Sequence, residues 1–180
     1  ILENIISGII EGTYKHKNES IIIDKNRLWP RLGNTIYQTL QKKPKIICTV
    51  RQIPEILSSY ILLFDRNPQQ LNFVDEELKR NDIHVNTKNR CKLLWEKYIN
   101  HPYKSLLMGV NSNNCDIMFV DYDNMISNGQ ETLDNICKFI DVNSFVLDTY
   151  NIKPMKEKDQ YHGFVGLHDI RKELKRTSPE

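Results

Sequence analysis

Apolar positions along this chain fall into two kinds of pattern, helical stripes and short unbroken runs. Leu2, Ile5, Ile6, Ile9 and Ile10 recur at the spacing of one helix face, predicting a helix with a single buried stripe that the polar stretch KHKNES ends. The run IIID is β-branched and too short for a helix, so the segment from Ser20 to Asp24 is expected to be a buried strand. Pro30 opens a helix with Leu32, Ile36, Tyr37 and Leu40 on one side, and QKKP closes it before a second strand, Lys45 to Val50. A helix then starts near Pro54. Cys91, Leu94, Trp95 and Tyr98 mark another, and Leu106, Leu107 and Val110 one more. CDIMFVDY reads as a third buried strand, and Leu133, Ile136, Cys137 and Ile140 as the last firm helix. Between these, Asn67 to Asn86 is polar and is expected to be a mobile excursion over a site, with a short helical piece around VDEELKR. After Asn151 the periodicity fades, so residues 151–180 are expected to form an extended, Lys-rich segment holding one compact motif, YHGFVGLHDIR.

Short buried strands alternating with amphipathic helices predict an α/β fold: a central parallel sheet flanked by helices, with ligands bound outside the carboxyl ends of the strands. A length of 180 residues suits one domain, and 39% hydrophobic with 27% charged residues excludes a disordered tail. The net charge of +2 provides no broad basic field, which argues against wholesale nucleic-acid binding and leaves room for a local pocket holding a small anion. No apolar run is long enough to span a membrane. Cys48, Cys91, Cys115 and Cys137 lack the close spacing of zinc or redox motifs; buried free thiols in a reducing, cytoplasmic setting are expected.

Three predicted strands end in polar groups: Asp24-Lys25-Asn26-Arg27, Arg51-Gln52 and Asp121-Tyr122-Asp123. If those ends converge on one crevice, Lys25, Arg27 and Arg51 can face one anion, helped by the amides and dipole of the helix starting near Pro54. The alternative is that charged residues mark where strands meet solvent. On a helical wheel Ile56, Leu57 and Tyr60 share the buried side, Ser59 flanks it and Ser58 points away, so Ser59 is the better partner for Arg51. Glu55 suits the first helical turn but would repel an anion if it pointed inward.

The stretch KIICTVRQIPEILSSY resembles the 3′-phosphate-binding strand and helix of sulfotransferases, where an Arg ends the strand and a Ser follows eight residues later; Arg51 and Ser59 keep that spacing. IIIDKNRLWP resembles the family's strand ending in a Lys-containing turn, and IMFVDYDNMISNGQETLDNICKFIDV its later strand, turn and helix. YHGFVGLHDIR is similar to a Gly- and His-containing segment in a bacterial and phage branch. The resemblance implies a P-loop-NTPase-like three-layer fold in a single domain. It also implies sulfuryl transfer from 3′-phosphoadenosine 5′-phosphosulfate (PAPS) to a hydroxyl or amine of a small-molecule or carbohydrate acceptor, with 3′,5′-ADP as product and no metal.

In that scheme Lys25 is the catalytic cation, and Arg51 and Ser59 hold the 3′-phosphate. Gly163 and Gly166 either admit the nucleotide to the backbone or shape a turn. His162 and His168 titrate in the range of a general base but are as readily structural, and Trp29 either stacks on a ligand or packs. Gln52, Asp121 and Asp141 depart from the family's usual Asp, Arg and Gly. The first strand and phosphosulfate-binding loop have no counterpart in the sequence; they are expected upstream of Ile1, or lost in an inactive relative. Two alternatives stay open, a P-loop-type nucleotide or nucleoside kinase and a catalytically inactive binding module.

Overall fold

A computed structural model of the chain describes residues 2–16, 18, 21–153 and 172–175. Among these, the elements follow in the order α1 (Leu2–Tyr14), α2 (Trp29–Leu40), β1 (Lys45–Val50), α3 (Ile53–Arg66), α4 (Phe73–Arg80), α5 (Thr87–Leu93), a π-helical segment (Leu94–Ile99), α6 (Asn100–Val110), β2 (Asp116–Asp121), α7 (Tyr122–Ser127) and α8 (Gly129–Phe139). The strands β1 and β2 pair with each other, and the Asp116 amide donates to the Pro44 carbonyl at 3.0 Å. That bond sets the two strand starts level, so the small sheet is parallel. The protein is thus a mixed helix and strand structure. It divides into two units, residues 1–48 with 100–118 and residues 49–99 with 119–180.

In the first unit α2 packs on α6 through small residues. A Cβ on buried Gly33 would lie 2.9 Å from the Cys115 sulfur, and one on Gly109 would lie 2.7 Å from Pro30 Cβ and 2.9 Å from Ile117 Cδ1. Gly109 lets α6 approach the start of α2 closely, and Gly33 lets α2 lie against Cys115, because neither has a side chain. The N-cap of α2, Leu28, offers no side-chain acceptor. Ser105 of α6, only 1% exposed, compensates by accepting the Arg31 amide at 3.1 Å, so tertiary packing supplies the cap that the local sequence lacks. Gly109→Val should therefore drive backbone and ring apart and lower stability by about 2 kcal/mol, read as a reduced urea midpoint with unchanged slope.

Three expectations fail in this unit, one of them the stripe of α2, whose Leu32 and Leu40 are 37% and 41% exposed. Residues 21–26 carry no strand, and Ile21, Ile22 and Ile23 are 37%, 44% and 78% exposed. An apolar run becomes a strand only when a neighbour takes its backbone bonds, and among the described residues the sheet has two strands, neither of them paired to this run. Helix α1 forms as predicted and meets α2, but Ile5 and Ile9 of its supposedly buried stripe are exposed.

The second unit has its core at Phe64, Val74, Leu78 and Leu94, with Leu57, Tyr60, Ile61 and Tyr98 packed around it. Val74 and Leu78 lie in the segment expected to be a mobile excursion, and they are 0% and 2% exposed. The apolar content of Asn67 to Asn86 is small but sits at positions i and i+4 of α4, so one short helix face suffices to bury it. The helix is also well capped. Asn72 accepts the Asp75 amide at 2.8 Å through Oδ1, while its Nδ2 donates to Asp75 Oδ2 at 2.8 Å, a reciprocal pair like a capping box. Arg90 of α5 then donates to both Asp75 oxygens, at 2.7 and 2.6 Å, and Lys97 pairs with Glu77. Burial pushes the Asp75 carboxyl up, but the bonds from Arg90 and Asn72 outweigh it and hold the group below its ordinary range.

The two helices predicted around Cys91 and Leu106 follow one another without a loop, α5 and α6 being joined by the π-helical segment. Pro102 has no amide to offer the Tyr98 carbonyl, and a wider helical register ahead of it accommodates the missing bond. Later in the chain, the Ile152 amide donates to Lys172 and the Leu174 amide to Thr149, both at 2.8 Å. The motif YHGFVGLHDIR, and with it His162, Gly163, Gly166 and His168, lies outside the described residues.

Candidate anion-binding site

β1 and β2 are both six residues long and start level, so the residues just past their ends come level too. Those residues are Arg51 and Tyr122. The Arg51 guanidinium carbon lies 4.1 Å from the centre of the Tyr122 ring, a cation–π contact. One helical turn further, Glu55 Oε2 accepts from Arg51 Nε at 2.8 Å, with both side chains about three-quarters buried. The ring fixes the plane of the guanidinium and the carboxylate fixes its rotation. Among the described residues neither Nη group of Arg51 has a hydrogen-bond partner, and a pair of parallel N–H donors is what a phosphate oxygen pair accepts.

Asp121, which stands where the family often has Arg, is the N-cap of α7 and accepts the Asn124 amide at 2.9 Å. It thereby fixes the turn that carries Tyr122. The start of α3 contributes less than expected. The Glu55 and Ile56 amides both go to the Gln52 carbonyl, at 3.1 Å each, and Pro54 has none, so this end offers its dipole rather than an array of unused amides. Ser59 lies in the second turn and is exposed, as is Ser58, so solvent access does not separate them. Sequence reasoning weighed Glu55 as a repulsive neighbour and did not see Tyr122. The signals were present: the four-residue spacing of Arg51 and Glu55, and the common position of Arg51 and Tyr122 one step beyond paired parallel strands. Tyr122→Leu should leave the fold intact and weaken anion binding at Arg51 by about threefold, measured by calorimetry with 3′,5′-ADP.

Lys25 belongs to the first unit, in the turn between α1 and α2. Asp24, just before it, accepts from the Tyr14 hydroxyl at 2.5 Å and from Trp29 Nε1 at 3.0 Å. Asn26, just after it, accepts the Leu28 amide on its side chain at 2.9 Å and the Trp29 amide on its carbonyl at 3.4 Å. Trp29 is therefore tied to the turn by its indole N–H. Lys25 and Arg27 are exposed, and the Lys25 ammonium has no partner among the described residues.

The four cysteines are free thiols, Cys115 and Cys137 buried and Cys48 and Cys91 half-buried. Burial pushes the Cys48 and Cys115 thiols up, away from the thiolate form, so neither is placed as a nucleophile. A concavity of about 460 Å³ opens beside the start of α8, lined by Asn128, Gln130, Glu131, Thr149, Tyr150 and Leu174 among others. Leu174 rests there because Gly129 has no side chain: a Cβ at Gly129 would meet Leu174 Cδ2 at 2.7 Å.

A parallel α/β sheet with an oriented arginine at a strand end is the local architecture of proteins that bind phosphorylated ligands at their strand ends. The comparison with known families is specific: residues 7–162 match the family described as Sulfotransferase domain, and the chain belongs to that family. Membership implies a transferase that moves sulfuryl groups. No curated protein matches the chain, and no solved structure does. Among the described residues no helix is long and apolar enough to cross a membrane.

Proposed function

We propose that the protein transfers a sulfuryl group from PAPS to a hydroxyl or amine of a small-molecule or carbohydrate acceptor, releasing 3′,5′-ADP. The observation that carries this reading is Arg51, held by Tyr122 and Glu55 with both Nη groups unpartnered among the described residues, at the strand-end position where the family grips a 3′-phosphate. Its fit to a doubly charged phosphate is chemical as well as positional, because a guanidinium already immobilised loses little entropy on binding. Ser59 adds a hydroxyl donor from the same helix. Gly163 and Gly166 belong to this reading as places where backbone approaches the nucleotide. A single domain with P-loop-like, three-layer architecture and four thiols kept reduced in the cytoplasm complete it.

The donor supplies an already activated sulfuryl group. The protein's task is then to align reactants and to neutralise charge on the leaving oxygen, with no covalent chemistry of its own. Lys25 is assigned that neutralising role: its ammonium is exposed and has no ion-pair partner among the described residues, so it is available to a developing oxyanion. Incubating the full chain with sulfur-labelled PAPS and simple probes, 2-naphthol for hydroxyls and glucosamine for amines, should yield 3′,5′-ADP and a labelled acceptor. Release of neither product, with 3′,5′-ADP still bound tightly, would instead identify an inactive binding module. Turnover of ATP with Mg²⁺ would identify a kinase.

A further inference from the structure

We infer that Asp24 is a positioning residue for Lys25, its carboxylate held between Tyr14 and Trp29 so that the backbone carrying the lysine is fixed before ligand arrives. This rests on the reading that Lys25 meets the 5′-phosphate end of the donor. The lysine stands between two pinned neighbours. On one side the Asp24 oxygens each take one donor, from the last turn of α1 and from the first residue of α2. On the other, Asn26 closes the turn onto Leu28 and Trp29.

An aspartate beside a lysine commonly neutralises it. Here both oxygens are taken by neutral donors, and the Lys25 ammonium is left without a partner among the described residues. The hydrogen bond to Asp24 also holds the Tyr14 phenol above its usual pKa of 10.0, so it remains a donor across the neutral range. Without the clamp, a turn that is exposed from Ile21 to Leu28 would sample many conformations, and each would carry Lys25 elsewhere.

The consequence is selective. Loosening the turn should weaken the interaction with a ligand's 5′-phosphate and spare the interaction with its 3′-phosphate. Calorimetry on the full chain with 3′,5′-ADP and with adenosine 3′-monophosphate isolates this as the ratio of the two dissociation constants. Lys25→Ala should bring the ratio toward one. Tyr14→Phe and Trp29→Phe should each lower it by about fivefold while the 3′-monophosphate affinity stays at the wild-type value.

If Lys25→Ala collapses the ratio and neither aromatic variant changes it, the positioning role is wrong and the reading of Lys25 stands. If Lys25→Ala leaves the ratio unchanged, or neither nucleotide binds the wild type, the reading of Lys25 fails and the positioning role with it. Equal weakening of both nucleotides in the aromatic variants would show a merely structural role and would also overturn the proposal. Tyr14→Phe removes one oxygen from a half-buried side chain, so an unchanged far-ultraviolet spectrum is expected to keep this arm interpretable.

Discussion

Arg51→Ala is expected to weaken 3′,5′-ADP binding on the order of 100-fold, about 3 kcal/mol, because it removes two charge-assisted bonds to the phosphate. The size follows from preorganisation. Tyr122 at 4.1 Å and Glu55 at 2.8 Å already hold the guanidinium, so little of the gross interaction is spent on ordering it. Arg51→Lys should not rescue the loss, since an ammonium presents no planar fork and leaves Glu55 without its Nε partner. Ser59→Ala should cost only about 1 kcal/mol, roughly fivefold, the value of one neutral hydrogen bond. Calorimetry that finds equal, small losses in both variants would remove Arg51 from the site.

The second large effect concerns the fold. Asp75→Ala should destabilise the protein by about 3 kcal/mol, because it strips the mostly buried Arg90 of its main carboxylate and α4 of its cap partner. For a chain of this length that loss corresponds to a fall in Tm of about 6 to 12 °C. The ion pair also has a pH signature. The carboxyl of Asp75 is held below its usual range in the folded state. Its contribution is therefore fully present above the unfolded pKa of about 3.9 and is lost as pH falls through the lower folded value. Wild-type stability should decline below about pH 4 with a component that Asp75→Ala lacks. Parallel acid-unfolding profiles for the two proteins would argue against the pair.

The stripes and runs that could be read correctly are those whose partners are close at hand. β1 and β2 bond to each other, and α3 and α8 each bring enough apolar residues to define a face, whereas α2 meets α6 where Pro30 lies against Gly109 and leaves Leu32 and Leu40 of its expected stripe exposed. Ile21 to Ile23 carry an equally strong strand pattern and form no strand, because pairing is a property of two segments and periodicity reports only one. The error at Asn67 to Asn86 runs the other way. Two apolar residues one turn apart, with a cap and a buried ion pair, stabilise α4 inside the core; the cap Asn72 is local, but Arg90 and the core residues Phe64 and Leu94 are distant in sequence. The site shows the same division. Arg51 was visible as a cation at the end of an apolar run, whereas Tyr122 became its neighbour only through the parallel register of β1 and β2.

The central claim is that this member of the sulfotransferase family grips the nucleotide of PAPS through its 3′-phosphate. The most direct measurement is titration of the full wild-type chain with 3′,5′-ADP and, separately, with 5′-AMP, which differs only in lacking that phosphate. The account predicts saturable binding of 3′,5′-ADP at least tenfold tighter than that of 5′-AMP, with the difference abolished in Arg51→Ala. Equal affinity for the two nucleotides, or a preference that survives Arg51→Ala, would contradict it.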